Sequence, residues 1–493
     1  MSHDAIPDAT VGKVERFVAR LLALIERESD LDAAARMAEW LALYLWENPC
    51  GLYRCDRLEE LMLSRCAQHG AHAPVLTAPI DGELHVASQV FRAGGHTPLM
   101  RFLIHGSSRP VAVALTRMTS VDEAASILDV GSDQVLAVTG ELGPQERIDR
   151  LVDIMLRYQR VVLHLHPDDV LGAVAVRLAK RFRPGLQVCL VNHADHVFSV
   201  GIGVADRVLE ISAYGWSLRH KRGTVGQSSF IGLPIPKPIQ QHPDAQLAAG
   251  GQYILTGGAA YKFKPIGSMS LPFALGRLLA AAPALNLKAI GPGGGDWWWW
   301  PLRLRFGKRV ELVKAVPKDQ YRQYLMGCAL YVDSYPWLGG TAFPEALMSG
   351  CRVAGLHGVA WGYSHADVMR SDDVASFVRD ALALVNGEPS ALARLDAERE
   401  RCIRYHDPAQ VRARMDQALD HGECVEPPDG GLIRSGVETI EDAWRRRGRS
   451  VLPPRSRSRL VRSDVQRLAR EHVAVFGPMS WASIKLAYYG YVK

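Results

Sequence analysis

The stretch Tyr331 to Gly355, YVDSYPWLGGTAFPEALMSGCRVAG, holds the residues best suited to a charged ligand. It opens as an apolar strand, turns through Pro336 and the Gly339-Gly340 pair, and starts a helix near Pro344 that Gly350 can end. Glycines let the backbone approach a ligand closely, the first amides of a helix lack intrahelical partners, and the helix dipole favours negative charge there. Thr341 adds a hydroxyl donor. Glu345 would repel phosphate, but from the first helical turn it can accept hydrogen bonds from a ribose diol, so the set points to a nucleoside diphosphate. The same residues also describe an ordinary strand-helix turn, with a capping glycine and a glutamate that complements the dipole.

Histidines mark three earlier strand ends. They are Gly94-Gly95-His96-Thr97, His164-Leu165-His166-Pro167-Asp168-Asp169 and Asn192-His193-Ala194-Asp195-His196. Imidazole is the side chain whose ordinary pKa lies near neutrality, so His96 is the first choice for acid–base work and His193 the second. The alternative is a set of capping or hydrogen-bonding histidines. His164 and His166 alternate on a strand and would share a face, as two metal ligands do, but no thiolate or third ligand accompanies them. No metal is therefore assigned.

The elements that must position these residues follow from composition and pattern. A chain of 493 residues with 48% hydrophobic content can bury more than one core. Residues 1–75 read as a helical N-terminal region, with Val14, Phe17, Val18, Leu21 and Ile25 on one apolar face. Residues 76–236 alternate short apolar runs with helical stretches, the pattern of a parallel sheet covered on both faces. The proline-rich LPIPKP at 233–238 marks a link, and the alternation restarts over 237–425. The predicted fold class is α/β, two Rossmann-like lobes facing a cleft, with ligands at the carboxyl ends of the strands. Asp367–Leu384 and Ser390–Tyr405 read as helices closing the second lobe.

Eight cysteines without a C-x-x-C pair give neither a disulfide framework nor a zinc site. The N-terminus lacks the basic start and apolar core of a secretory signal, and no apolar run is long enough to span a bilayer, so a soluble cytoplasmic protein is expected. Residues 426–493 form a basic extension, where Arg445 to Arg470 includes ten arginines against the single acid Asp464. Such a tail can lie peripherally on anionic membrane, or be a solvated arm and a final helix packed on the body. No recognised module accompanies the charge, so nucleic acid is not expected as a partner. The run Trp297–Trp300 reads as packing of its segment, with acceptor or lipid contact as the alternative.

From Glu311 to Gly350 the chain, ELVKAVPKDQYRQYLMGCALYVDSYPWLGGTAFPEALMSG, resembles the nucleotide-binding part of the protein O-linked N-acetylglucosamine transferases and bacterial adhesin N-glucosyltransferases. There a Val-Ala-Pro-Lys-type segment, an amphipathic helix, an Asp-x-x-Pro strand end and a Gly-His-Thr-Thr-type turn surround UDP. The resemblance implies Val316 and Lys318 beside the uracil and Tyr321 near the base or ribose. It also puts Gly339, Gly340 and Thr341 at the diphosphate and Glu345 at the ribose. Tyr261-Lys262 and Pro265 match the family's Tyr-Lys-x-x-Pro segment, whose lysine neutralises the departing diphosphate. Three departures each remove a polar contact: Gly340 replaces the family histidine, Ala342 the second threonine, and Tyr324 an expected arginine. Retaining transferases of similar fold carry a second glutamate eight positions before the first; Trp337 stands there, which favours inversion.

The resemblance thus implies a GT-B glycosyltransferase that moves a sugar from a nucleotide donor, most simply UDP-linked, to a polypeptide or surface glycan, without cofactor. Competing readings are a sugar-nucleotide epimerase or hydrolase on the same frame, or a non-catalytic nucleotide-sugar binding protein.

Overall fold

The computed structural model describes residues 9–69, 74–92, 95–118, 120–138, 142–237, 253–359, 361–428, 439–446, 450–453, 459–480 and 483–486. Gly94, Pro238, most of the arginine-rich run between 447 and 458, and the last seven residues lie outside them.

The apolar runs become two parallel sheets. In the first, β1 (Ile80–Ala87), β2 (Val111–Leu115), β3 (Val135–Ala137), β4 (Tyr158–His164), β5 (Gln187–Asn192), β6 (Arg207–Glu210) and β7 (Ser228–Phe230) lie in the order β3-β2-β1-β4-β5-β6-β7. The second holds β8 (Tyr253–Gly257), β9 (Asn286–Ile290), β10 (Val310–Val313), β11 (Leu330–Val332), β12 (Val353–Leu356) and β13 (Arg370–Ser371), in the order β10-β9-β8-β11-β12-β13. Strands such as VAVAL and QVCLVN are almost continuously apolar because both faces are covered, as an all-parallel sheet requires. Each sheet reverses direction once, between β1 and β4 and between β8 and β11. Those switch points are where an open α/β sheet leaves a crevice at its strand ends.

The helical N-terminal region is a further layer on the first lobe. Its helices Ala9–Arg27, Leu31–Glu47 and Asp56–His69 share one core with Pro144–Met155, Val170–Phe182 and one face of the first sheet. The described part of the basic extension joins the same layer. Helix Arg462–Phe476 packs on Ala9–Arg27, with Asp464 held by Arg36 at 2.8 Å and Arg467 paired with Glu28.

Two features differ from the sequence reading. The expected helix Asp367–Leu384 is three elements: a 3₁₀ turn His365–Met369, the edge strand β13, and helix Val374–Val385. Arg370 is drawn inward by Asp333 and Asp367, which extends the chain there, and Asp373 then caps the helix by accepting from the Ser376 amide at 2.8 Å. Helix Pro408–Asp420 packs on the first sheet, not the second: Val411, Met415, Ala418 and Leu419 join Val162, Val191 and Leu209. The chain thus crosses between lobes twice, and the crossings are tied together where Ile235 N–H donates to the His406 carbonyl at 2.9 Å.

Candidate functional site

In the second lobe the residues after β8 and after β11 meet at the sheet's switch point. Lys262 lies in the turn after β8, and its Nζ donates to the Leu338 carbonyl at 3.1 Å, while the Trp337 amide donates back to the Lys262 carbonyl at 3.2 Å. Burial lowers the Lys262 ammonium from its ordinary range; Asp333 opposes the shift and Arg370 adds to it. One carbonyl partner leaves an ammonium with unused donors. Gly291, at φ +108°, lets this turn close, since a side chain there would run into the Gly258 carbonyl.

Asp333 fixes the glycine turn from below. Its Oδ2 accepts from the Gly339 amide at 3.0 Å and from Arg370 Nη2 at 2.7 Å. Arg370 also holds Asp367 at 2.6 Å, and its guanidinium lies over the Phe343 ring. The Gly339 amide is therefore spent on the protein, whereas beyond Gly340 the space is open. Thr341 begins helix Ala342–Met348. Glu345 stays in contact with solvent on that helix, and desolvation raises its carboxyl against the lowering influence of Lys318, Thr341 and Arg322.

Of the remaining candidates, Val316 is half-buried against the second core, and Lys318 opens helix Lys318–Met326. The Tyr321 ring lies across Gly257 at the end of β8, and Tyr261 stands 62% exposed. Lys262, Gly340, Thr341, Glu345 and Lys318 are thus brought to one rim.

The first lobe gathers its histidines at the other switch point, along with one that the pattern search passed over. His85, buried in β1, has Nδ1 2.9 Å from His164 Nε2, and His164 Nδ1 is 2.8 Å from His193 Nε2. His85 Nε2 faces Glu83 at 3.6 Å, and Glu83 is gripped by Arg160 at 2.8 Å and Arg412 at 2.9 Å. Burial would raise the Glu83 carboxyl, but the facing His85 ring and the Arg412 guanidinium hold it below its usual range. Burial lowers all four imidazoles, His85, His96, His164 and His193; His164 and His193 fall well below 6.5, burial leading and neighbouring imidazoles adding to it. Glu83 and His85 carried a readable signal: two polar residues two apart on one face of an otherwise apolar strand.

His96 packs against His193 with ring centres 4.0 Å apart and the planes tilted by 46°. Its Nε2 lies 3.2 Å from the His164 carbonyl, and its Nδ1 is buried without a partner. His166 does not share a face with His164. The strand ends at His164, and His166 Nδ1 turns to Asp168 at 2.5 Å. Asp169 is structural: it accepts from Ser88 at 2.5 Å, from Thr116 and from the Gly172 amide at 3.1 Å, tying the ends of β1 and β2 to helix Val170–Phe182. Asp195 and His196 serve the lobe junction, where the Tyr363 hydroxyl meets His196 Nδ1 at 2.6 Å and Asp195 at 3.2 Å.

That junction orients the lobes. Ile266, Met269, Trp337, Val359 and Tyr363, which follow β8, β11 and β12, pack on Tyr53, Tyr214 and Leu218 of the first lobe. The Ala213 amide, just after β6, donates to the Gly362 carbonyl at 2.9 Å. The carboxyl ends of both sheets therefore face each other, the imidazole chain on one side and the lysine turn on the other. This is a GT-B fold.

Solved structures agree. An O-GlcNAc transferase mutant of Thermobaculum terrenum matches with TM-score 0.53 at 17% identity over 89% of this chain and 82% of that one. Anabaena HepE in complex with UDP matches with TM-score 0.53 at 14% identity over 69% of this chain and all of that one. The lipopolysaccharide outer core galactosyltransferase WaaB, in its apo form, matches with TM-score 0.51 at 14% identity over 69% of this chain. No family model matches the chain, and no curated protein matches it by sequence.

Proposed function

We propose that the protein is an inverting glycosyltransferase that moves a sugar from a UDP-linked donor to a nucleophile on a polypeptide or surface glycan. The observation that carries this reading is the placement of Lys262 against the Leu338–Thr341 turn, on the rim that faces the histidine chain. UDP would lie with its diphosphate over Gly340 and Thr341, its ribose at Glu345, and its base between Val316, Lys318 and Tyr321, with Tyr261 at the open edge. The acceptor oxygen or nitrogen attacks the anomeric carbon, the bond from that carbon to the β-phosphate oxygen breaks, and its electron pair leaves with UDP. Lys262 gains most as that oxygen becomes charged, so it stabilises the transition state more than the bound donor.

His193 is the base in this account. An imidazole chain in which each N–H points toward Glu83 leaves Nδ1 of His193 as an unprotonated nitrogen, ready for the acceptor proton. His96, with Nε2 against a carbonyl and Nδ1 buried, supports the His193 ring. No metal or cofactor enters this scheme. Inversion is supported by Trp337, which stands eight residues before Glu345 and packs at the lobe junction where a second carboxylate would be needed.

The reading is tested by incubating the protein with UDP-, GDP- and dTDP-sugars, with and without polypeptide and glycan acceptors, and analysing donor and acceptor by mass. UDP released only with acceptor, and a product anomer opposite to that of the donor, are expected. An isomerised donor, or binding without turnover, would reject transfer in favour of epimerisation or a binding role.

A further inference from the structure

Large apolar side chains stand in solvent along one part of the second lobe. Phe273 is 62% exposed, Trp297 60%, Trp300 51% and Leu304 86%. Trp300 and Leu304 are four residues apart on helix Trp300–Phe306 and so share a face. That helix packs on Leu271–Ala281 through Leu302, which lies close against Gly276: a Cβ there would be 3.1 Å from Leu302. On the second helix, Phe273 and Arg277 are likewise four apart and exposed. The Trp300 indole is fixed at the surface by its N–H, which donates to the Gly294 carbonyl at 2.9 Å.

The charge around this face is mostly positive; the acid beside it, Asp296, is half-buried and accepts from the Gly293 amide at 2.7 Å. Neither helix contains an aspartate or glutamate, and Arg277, Arg303, Arg305 and Lys308 are exposed. None of the four has an ion-pair partner among the described residues. Exposed indoles and a leucine flanked by unpaired cations suit the boundary between lipid headgroups and acyl chains, where the apolar groups enter and the cations meet lipid phosphates. In the described part of the basic extension Arg467 pairs with Glu28, and Arg36 holds Asp464.

We infer that the face formed by Phe273, Trp297, Trp300 and Leu304 docks the protein on an anionic lipid bilayer. Trp297 and Trp300 follow the loop at the carboxyl end of β9, the end at which Lys262 lies, so docking brings the rim of the cleft to the membrane surface. This inference stands independently of the transfer reading, since lipid binding needs no donor.

The test is co-sedimentation of the full chain with vesicles of phosphatidylcholine alone and of phosphatidylcholine with phosphatidylglycerol, over a range of salt. Binding to the anionic vesicles, weakened by salt, is expected. Each of Arg303→Gln and Arg305→Gln should lower the partition roughly fivefold. The pair Trp300→Ala with Leu304→Asp should abolish it, with an unchanged urea-unfolding midpoint as the check on folding. Replacing Arg455, Arg457 and Arg459 by Gln should leave binding in place. The inference is overturned if anionic vesicles do not bind the protein, if both lipid compositions bind equally, if the Trp300/Leu304 variant sediments like the parent, or if the Arg455/Arg457/Arg459 variant alone loses binding.

Discussion

Proton positions along the imidazole chain are set by what each nitrogen faces. Glu83, doubly held by arginine, stays ionised, so the His85 nitrogen turned toward it at 3.6 Å is better occupied by N–H than by a lone pair. His85 Nδ1 then accepts from His164, and His164 Nδ1 accepts from His193. Replacing His164 by Leu removes this setting without touching the nucleotide rim. It should lower kcat by at least about tenfold with UDP affinity unchanged, and His193→Gln should cost roughly 100-fold or more. Equal loss of donor affinity in a binding titration would mean the chain merely supports the fold.

The same four histidines make the protein acid-sensitive. Each is lowered from 6.5 in the folded chain, so below that value the unfolded chain binds protons that the folded one refuses. Their contribution is complete above about pH 6.5 and is lost as pH falls toward the folded values, at about 1.4 kcal/mol per pH unit for each histidine that differs. Urea unfolding should therefore show a lower stability near pH 5.5 than at neutral pH. Replacing His85 and His164 together by Leu should flatten the dependence, and an unchanged slope would contradict the assignment.

At the scale of elements, the glycine turn depends on a buried charge network. Asp333 and Asp367 each pair with Arg370, and taking Arg370 away would leave both buried carboxylates without that cation. Arg370→Leu should destabilise by about 3–5 kcal/mol, measured by urea unfolding. The combined Asp333→Asn, Asp367→Asn, Arg370→Leu variant should recover part of that loss. Such networks are also what sequence reading misses. β4 or β5 is legible because its apolar run needs only a covered sheet, and helix Val170–Phe182 because its periodicity and its cap at Asp169 are local. The two-residue strand β13 is extended by partners from distant positions, with no local pattern to announce it. Glu83 and His85 stand out as two polar residues on one face of an apolar strand, but that pattern does not announce that His164 and His193 fold beside them.

Across the whole molecule, two switch points face each other because the loops after β8, β11 and β12 close on Tyr53, Tyr214 and Leu218. The resemblance over Glu311–Gly350 implied a two-lobed architecture, and the fold agrees with it. The first lobe was readable in outline only, and the return of helix Pro408–Asp420 to it was not, since an amphipathic helix does not say which sheet it covers. The Tyr363 hydroxyl links the lobes through Asp195 and His196, so Tyr363→Phe should raise the KM for acceptor more than that for donor.

The central claim is a diphosphate seated between Lys262 and the turn at Gly340 and Thr341. Calorimetric titration with UDP tests it most directly. The parent chain should bind, and Lys262→Met should bind roughly tenfold or more weakly, the loss of one charge-assisted contact, with the same unfolding midpoint. No heat with the parent chain, or the same affinity in both, would contradict it.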